Sequence, residues 1–98
     1  MKMTKNIKGT VLSIALEGRL DTGTAPELEA ALNGALSGIT ELTLDMGGLE
    51  YISSAGLRVV LQAQKDMNTK GSMKLINVSD DIMEIFDITG FIDILTIE

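Results

Sequence analysis

Cysteine and histidine are both absent from the 98 residues. Without cysteine there is no disulfide, no thiol nucleophile and no Cys-based metal site. Without histidine, a His-dependent triad, a histidine zinc site and the commonest general base near neutral pH fall away together. Aromatic residues are few: Tyr51, Phe86 and Phe91 are all there are. They leave little from which to build a base-stacking platform or a large π-lined pocket. No apolar run approaches the roughly 20 residues of a membrane span. The start of the chain, MKMTKNIKG, lacks the apolar stretch that a signal peptide needs. A cytoplasmic address without membrane insertion is the expectation. Positive charge is also short: eight Lys and Arg stand against fourteen Asp and Glu, for a formal net charge of −6. Such a surface repels phosphate backbones and anionic lipid, which argues against nucleic acid as a partner.

What is present suits a single small domain spanning 1–98, with 45% apolar and 22% charged residues. A domain of this size buries roughly 60–65% of its unfolded surface, enough for a modest core built from Leu, Ile, Val, Ala and Met.

The periodicity of the chain divides it into elements. Met3 to Ile7 and Leu12 to Glu17, separated by Lys8-Gly9-Thr10, read as a hairpin. Gly18 to Gly23 reads as an exit loop. Thr24-Ala25-Pro26-Glu27 fits a capping box. Leu28, Ala31, Leu32, Ala35 and Leu36 then form one apolar stripe of a helix that Gly38 stops. Leu42, Leu44 and Met46 predict a strand ended by Gly47-Gly48. A second helix follows Ser53-Ser54 and closes between Asn68 and Gly71. Met73 to Ile76 predicts a strand, Ser79 caps a third helix stopped by Gly90, and Phe91 to Ile97 reads as a last strand. The expected order is β-β-α-β-α-β-α-β. Strands joined by single helices imply right-handed βαβ units, hence an α/β fold with a mixed, mostly parallel sheet and an antiparallel N-terminal hairpin.

One stretch stands apart. In Leu44-Asp45-Met46-Gly47-Gly48-Leu49-Glu50-Tyr51-Ile52-Ser53-Ser54-Ala55-Gly56-Leu57, a strand ends in an acid and two serines arrive at a helix start. The first N–H groups of a helix lack internal partners and the dipole there is positive, so a phosphate esterified to a serine is well received. Serine is also among the best N-caps, and capping alone accounts for either residue. Gly56 likewise reads as a site of close backbone packing, and Asp21 as a turn residue ahead of Thr24.

The segment Asp45 to Leu61, DMGGLEYISSAGLRVVL, resembles the phosphorylation loop of the STAS family of anti-sigma factor antagonists. EGRLDTGTAPELEAAL resembles that family's second strand and first helix, and EIFDITGFIDILTI its C-terminal segment, so the likeness runs nearly the whole chain. By position, the resemblance implies Ser54 as phosphoacceptor, Asp21 as the acid beside it and Asp45 as the strand-terminal acid. Thr22, Ser53, Ala55, Gly56, Leu57 and Arg58 complete the implied phosphosite environment and partner-binding surface. Many members carry Asp immediately before the acceptor, where this chain has Ser53, so Ser53 stands as the alternative acceptor. Many carry Ser where this chain has Gly47.

The implied partners are an anti-sigma factor that is also a serine kinase, and a serine phosphatase. The alternative within the family is a regulatory subunit of a bacterial ABC lipid transporter or other signalling assembly, binding protein without phosphorylation. An enzyme is not expected. Ser54 has no His or Cys to activate it, Lys65, Lys70 and Lys74 lie far along the chain, and no GxxxxGK[ST] run is present. Asp21 and Asp45 could pair as carboxylates, yet nothing suggests a substrate pocket. No cofactor or metal is implied. The expected state is a monomer or weak dimer, because an edge strand can pair with another copy.

Overall fold

The computed structural model describes residues 1–98. The chain opens with an antiparallel pair, β1 (Lys2–Lys8) and β2 (Val11–Leu20), turned at Gly9-Thr10 with Gly9 at φ 61°. Glycine takes this left-handed conformation without the penalty that a Cβ imposes. The helix α1 (Ala25–Ala35) crosses to β3 (Glu41–Ile52), α2 (Ser54–Lys70) crosses to β4 (Ser72–Ile76), and α3 (Asp80–Thr89) follows. β2, β3 and β4 are parallel, and the sheet order is β1-β2-β3-β4. The mixed α/β architecture thus has the predicted hairpin at one edge.

Register explains the core. Leu12 pairs with Leu42 and Leu42 with Met73, while Ile14 pairs with Leu44 and Leu44 with Leu75. All six are buried, so these lateral rows share one face. Leu28 and Leu32 of α1, Val60, Ala63 and Met67 of α2, and Ile82 and Phe86 of α3 close over them in one apolar cluster. The opposite face carries Ser13, Ala15, Thr43 and Asp45, half-buried and without a covering layer of helix.

Four expectations need correction. First, Phe91 to Ile97 is not a strand. Gly90, at φ 80°, ends α3 and leads into a short 3-10 helix (Phe91–Asp93), after which only Ile97 bridges to Leu75. The order is therefore β-β-α-β-α-β-α. Second, Gly47-Gly48 does not end β3, which runs on to Ile52. Two register shifts against β2 accommodate the glycines: Ala15 pairs with Asp45 but Glu17 with Gly48, and Gly18 with Leu49 but Arg19 with Tyr51. Each places one extra residue on β3, as in a β-bulge. Third, β2 continues through Gly18 to Leu20, so the exit loop starts at Asp21. Fourth, Thr24 does not close a capping box on Glu27. Its hydroxyl donates to the Arg19 carbonyl at 2.7 Å, and the helix start has no side-chain cap of its own.

Candidate functional site

The site lies where β2 and β3 deliver their carboxyl ends together. Leu20 and Ile52 are paired and buried, and the Ser53 N–H donates to the Leu20 carbonyl at 2.8 Å. That bond extends the ladder by one residue and fixes Ser53 in extended backbone, φ −93° and ψ 174°. From there the chain enters α2. The Ser53 Oγ accepts from the Gly56 N–H at 3.2 Å, and the Ser53 carbonyl accepts from the Leu57 N–H at 2.8 Å. Ser53 is the N-cap. Ser54 is the first helical residue, and its side chain is exposed.

Gly56 is buried because the first turn of α2 rests directly on β2. A Cβ there would stand 2.8 Å from Leu20 Cγ and 2.9 Å from the Leu20 carbonyl oxygen. Leu57 is buried beside it, Ala55 is half-buried and Arg58 is exposed one turn beyond Ser54. Residues four apart share a helix face, so Ser54 and Arg58 present together. Arg58 also borders a groove of about 220 Å³ between α1 and α2, with Glu29, Asn33, Gln62 and Asp66 around an apolar floor.

The loop from β2 to α1 forms the other wall. Asp21 follows Leu20 directly, next to the strand position that holds Ser53. Its Oδ1 accepts from Gly23 N–H at 3.0 Å, Thr24 N–H at 3.1 Å and lies 3.1 Å from the Thr24 hydroxyl. The Thr24 backbone N–H, foremost, holds the Asp21 carboxyl below its ordinary value of 3.8; desolvation opposes this, and the Thr24 hydroxyl, Gly23 N–H and Arg19 add to it. Thr22 is exposed at the tip.

Sequence reasoning missed two residues here. The Arg19 guanidinium lies 4.3 Å from the Tyr51 ring centroid, with its Nε 3.8 Å from Asp21 Oδ2. The two are cross-strand partners, a pairing that only the bulged register creates. A cation over an aromatic face is favourable and fixes both side chains.

Asp45 is not at this site. It sits five β2 positions back along the sheet, opposite Ala15 rather than Leu20, which is about 17 Å at ~3.3 Å per residue. There its Oδ1 accepts from Gly47 N–H at 2.9 Å and from Asn77 Nδ2 at 3.1 Å. So the structure brings together Asp21, Thr22, Ser53, Ser54, Ala55, Gly56, Leu57 and Arg58, and leaves Asp45 with β4.

The family model of the STAS domain matches residues 2–98. The chain belongs to the STAS domain family. BtrV of Bordetella bronchiseptica is 36% identical over 99 residues, covering 99% of this chain and 85% of BtrV. The anti-sigma-B factor antagonist of Listeria monocytogenes is 33% identical over 90 residues, covering 89% of this chain and 78% of that protein. Among solved structures, the Bacillus cell fate determinant SpoIIAA in its phosphorylated form superposes with a TM-score of 0.78 at 19% identity, over 99% of this chain and 91% of that one. This STAS domain therefore shares its whole fold with proteins of that name, and no helix in it is long and apolar enough to cross a membrane.

Proposed function

We propose that this STAS domain is an anti-sigma factor antagonist whose binding to a kinase-type anti-sigma factor is switched off by phosphorylation of Ser54. Capture of the anti-sigma factor by the unmodified domain releases the sigma factor for transcription. A phosphatase restores the binding form. The domain itself is a regulatory binding protein and not an enzyme.

One observation carries the choice of residue: Ser53 is spent as the cap of α2, while the neighbouring Ser54 is exposed at its first turn. A phosphate on Ser53 would turn the capping Oγ into an ester oxygen and force the half-buried cap of Gly56 to rearrange, whereas one on Ser54 meets the positive end of the helix and leaves the cap in place. Relatives named anti-sigma factor antagonists, and a structural neighbour solved in a phosphorylated form, support the same reading. The switch follows from charge. A phosphoserine adds about −1.5 to −2 charges to a small neutral spot. Buried against a partner without compensation, it costs several kcal/mol, and each ~1.4 kcal/mol weakens binding tenfold.

The test is incubation with an anti-sigma serine kinase from the same cell and ATP, read by intact mass and phosphosite mapping. Wild type and Ser53→Ala gain one phosphate, Ser54→Ala gains none yet binds the kinase, and Ser54→Asp binds poorly. Equal affinities of Ser54→Ala and Ser54→Asp, or a phosphate mapped to Ser53, would overturn the reading.

A further inference from the structure

Charge is divided across the sheet. The segment from Met1 to Leu16 holds Lys2, Lys5 and Lys8 and no acid, whereas the segment after Lys74 holds Asp80, Asp81, Glu84, Asp87, Asp93 and Glu98 and no Lys or Arg. The fold sends the two to opposite edges. β1 is one outer strand; β4 is the other, bridged to Ile97 through Leu75, while α3 packs against the neighbouring strand β3 and the 3-10 helix, away from β1. Local ion pairs use up only part of this charge. Lys2 pairs with Glu17 at 3.8 Å and Lys74 with Glu98 at 4.0 Å, leaving Lys5, Lys8, Glu84, Asp87 and Asp93 without a partner.

Each edge also carries uncovered apolar surface. Ile7, 58% exposed, shares its face of β1 with Lys5, and Lys8 projects from the other face of the same edge. On α3, Ile82 and Phe86 take the inward face, so Ile88 turns outward at 76% exposure, one turn beyond Glu84. Ile94, 52% exposed, and Ile92 extend that surface past Gly90. Apart from Tyr51, these four isoleucines are the large apolar residues the domain leaves in water. One lies in a basic setting and three in an acidic one.

We infer that the β1 edge of one copy docks against the α3 and 3-10 helix surface of the next, isoleucine on isoleucine, with Lys5 and Lys8 facing Glu84, Asp87 and Asp93. The occupant is a second copy of this chain because the chain itself supplies both complementary surfaces. The two patches differ, so the contact is head-to-tail, and unless it closes into a ring it adds copies without limit. The net charge of −6 does not forbid it. At ~0.1 M salt the Debye length is about 10 Å, so facing patches attract while the far sides of the two copies are screened from each other. The carboxyl end of the central strand β3 stays clear, and association leaves Ser54 accessible.

Sedimentation velocity tests this on the intact chain. At about 0.1 M salt the mean mass should climb with concentration from 10.5 kDa past that of a dimer, and fall back toward the monomer at about 1 M, where the Debye length is near 3 Å. K5E/K8E and E84K/D87K should each weaken association by about tenfold or more while keeping the wild-type circular dichroism. The decisive arm mixes the two variants. One then has two acidic edges and the other two basic edges, so an equimolar mixture should associate although each alone stays monomeric. A wild type that remains monomeric to millimolar concentration overturns the inference. So does growth that stops at a dimer insensitive to both reversals, or a mixture that stays monomeric.

Discussion

The amide of Ser53 and the carbonyl of Leu20 are joined at 2.8 Å. This single ladder bond sets the geometry of the end of the sheet that carries the candidate site. It holds the β3-to-α2 junction against β2, so that the serine after it becomes the cap and the next one the exposed first residue of the helix. It also brings Asp21, the residue after Leu20, to the same end of the sheet. Two consecutive serines thereby acquire different surroundings from backbone geometry alone.

Gly56 is the complement of that bond. Gly56→Ala puts a methyl group 2.8–2.9 Å from Leu20, including its backbone oxygen, which cannot swing away. The expected loss is ~1–3 kcal/mol, in the range for overpacking a close contact. Urea denaturation measures it, and an unchanged midpoint would mean that α2 sits further from β2 than described.

The two serines should separate in stability measurements. Ser53→Ala removes the acceptor for Gly56 N–H and should cost about 0.5–2 kcal/mol, as N-cap deletions do. Ser54→Ala touches no such bond and should stay within about 0.5 kcal/mol of wild type. The reverse ranking in thermal melts would reassign the cap.

Why the sequence resolved some of this and not the rest is a matter of which forces act locally. The helices α1, α2 and α3 follow from apolar spacing and from Ser53, Ser79 and Gly90, signals contained within one segment. The continuation of β3 is not local. Gly48 lies within the strand where the neighbouring strand crowds it: a Cβ there would stand 2.6 Å from Glu17 Cγ. Two glycines that read as a stop are a strand pressed against its neighbour. The Arg19–Tyr51 stack was hidden for the same reason, since counting along either strand does not reveal a bulged register. Phe91 to Ile97 misled through composition. Its apolar residues do not share one buried face: Leu95 is buried while Ile92 and Ile94 are in water. Asp45 and Ser54 looked close because a short loop was expected between them, and seven residues of strand lie there instead.

Asn77 offers a test of the β3-to-β4 link that holds Asp45. It is the one residue other than glycine with positive φ, 56°, and its amide donates to Asp45 Oδ1 at 3.1 Å. Asn77→Gly loses the hydrogen bond but keeps the backbone unstrained; Asn77→Ala loses the bond and adds strain. The Ala variant should be the less stable of the two by ~1 kcal/mol. If both lose equal stability in chemical denaturation, the left-handed conformation is not retained in solution.

Asp21 gives a pH signature. Its carboxyl is held below 3.8 in the folded state, chiefly by the Thr24 N–H. A group with a depressed folded value stabilises the fold above its unfolded value, and that contribution fades as pH falls through the folded one. Asp21→Asn should therefore be less stable than wild type near neutrality, with the gap closing below about pH 4. Urea midpoints from pH 7 down to pH 3 measure it. A constant gap would mean that loop packing, and not the charge, holds Asp21.

Ser54→Asp should separate binding from folding. An acid at the first turn of α2 faces the unpaired N–H groups and the positive end of the dipole, and this stabilises by about 0.3–1 kcal/mol at low ionic strength. In a domain of this size the melting temperature should rise by about 1–8 °C, with the gain shrinking as salt is added. The same substitution is expected to weaken binding to the anti-sigma partner. A variant that melts higher yet binds worse cannot owe its defect to misfolding, so the lost affinity must come from negative charge at the contact. A variant that melts lower would place the Ser54 side chain away from the helix end and remove the electrostatic basis of the switch.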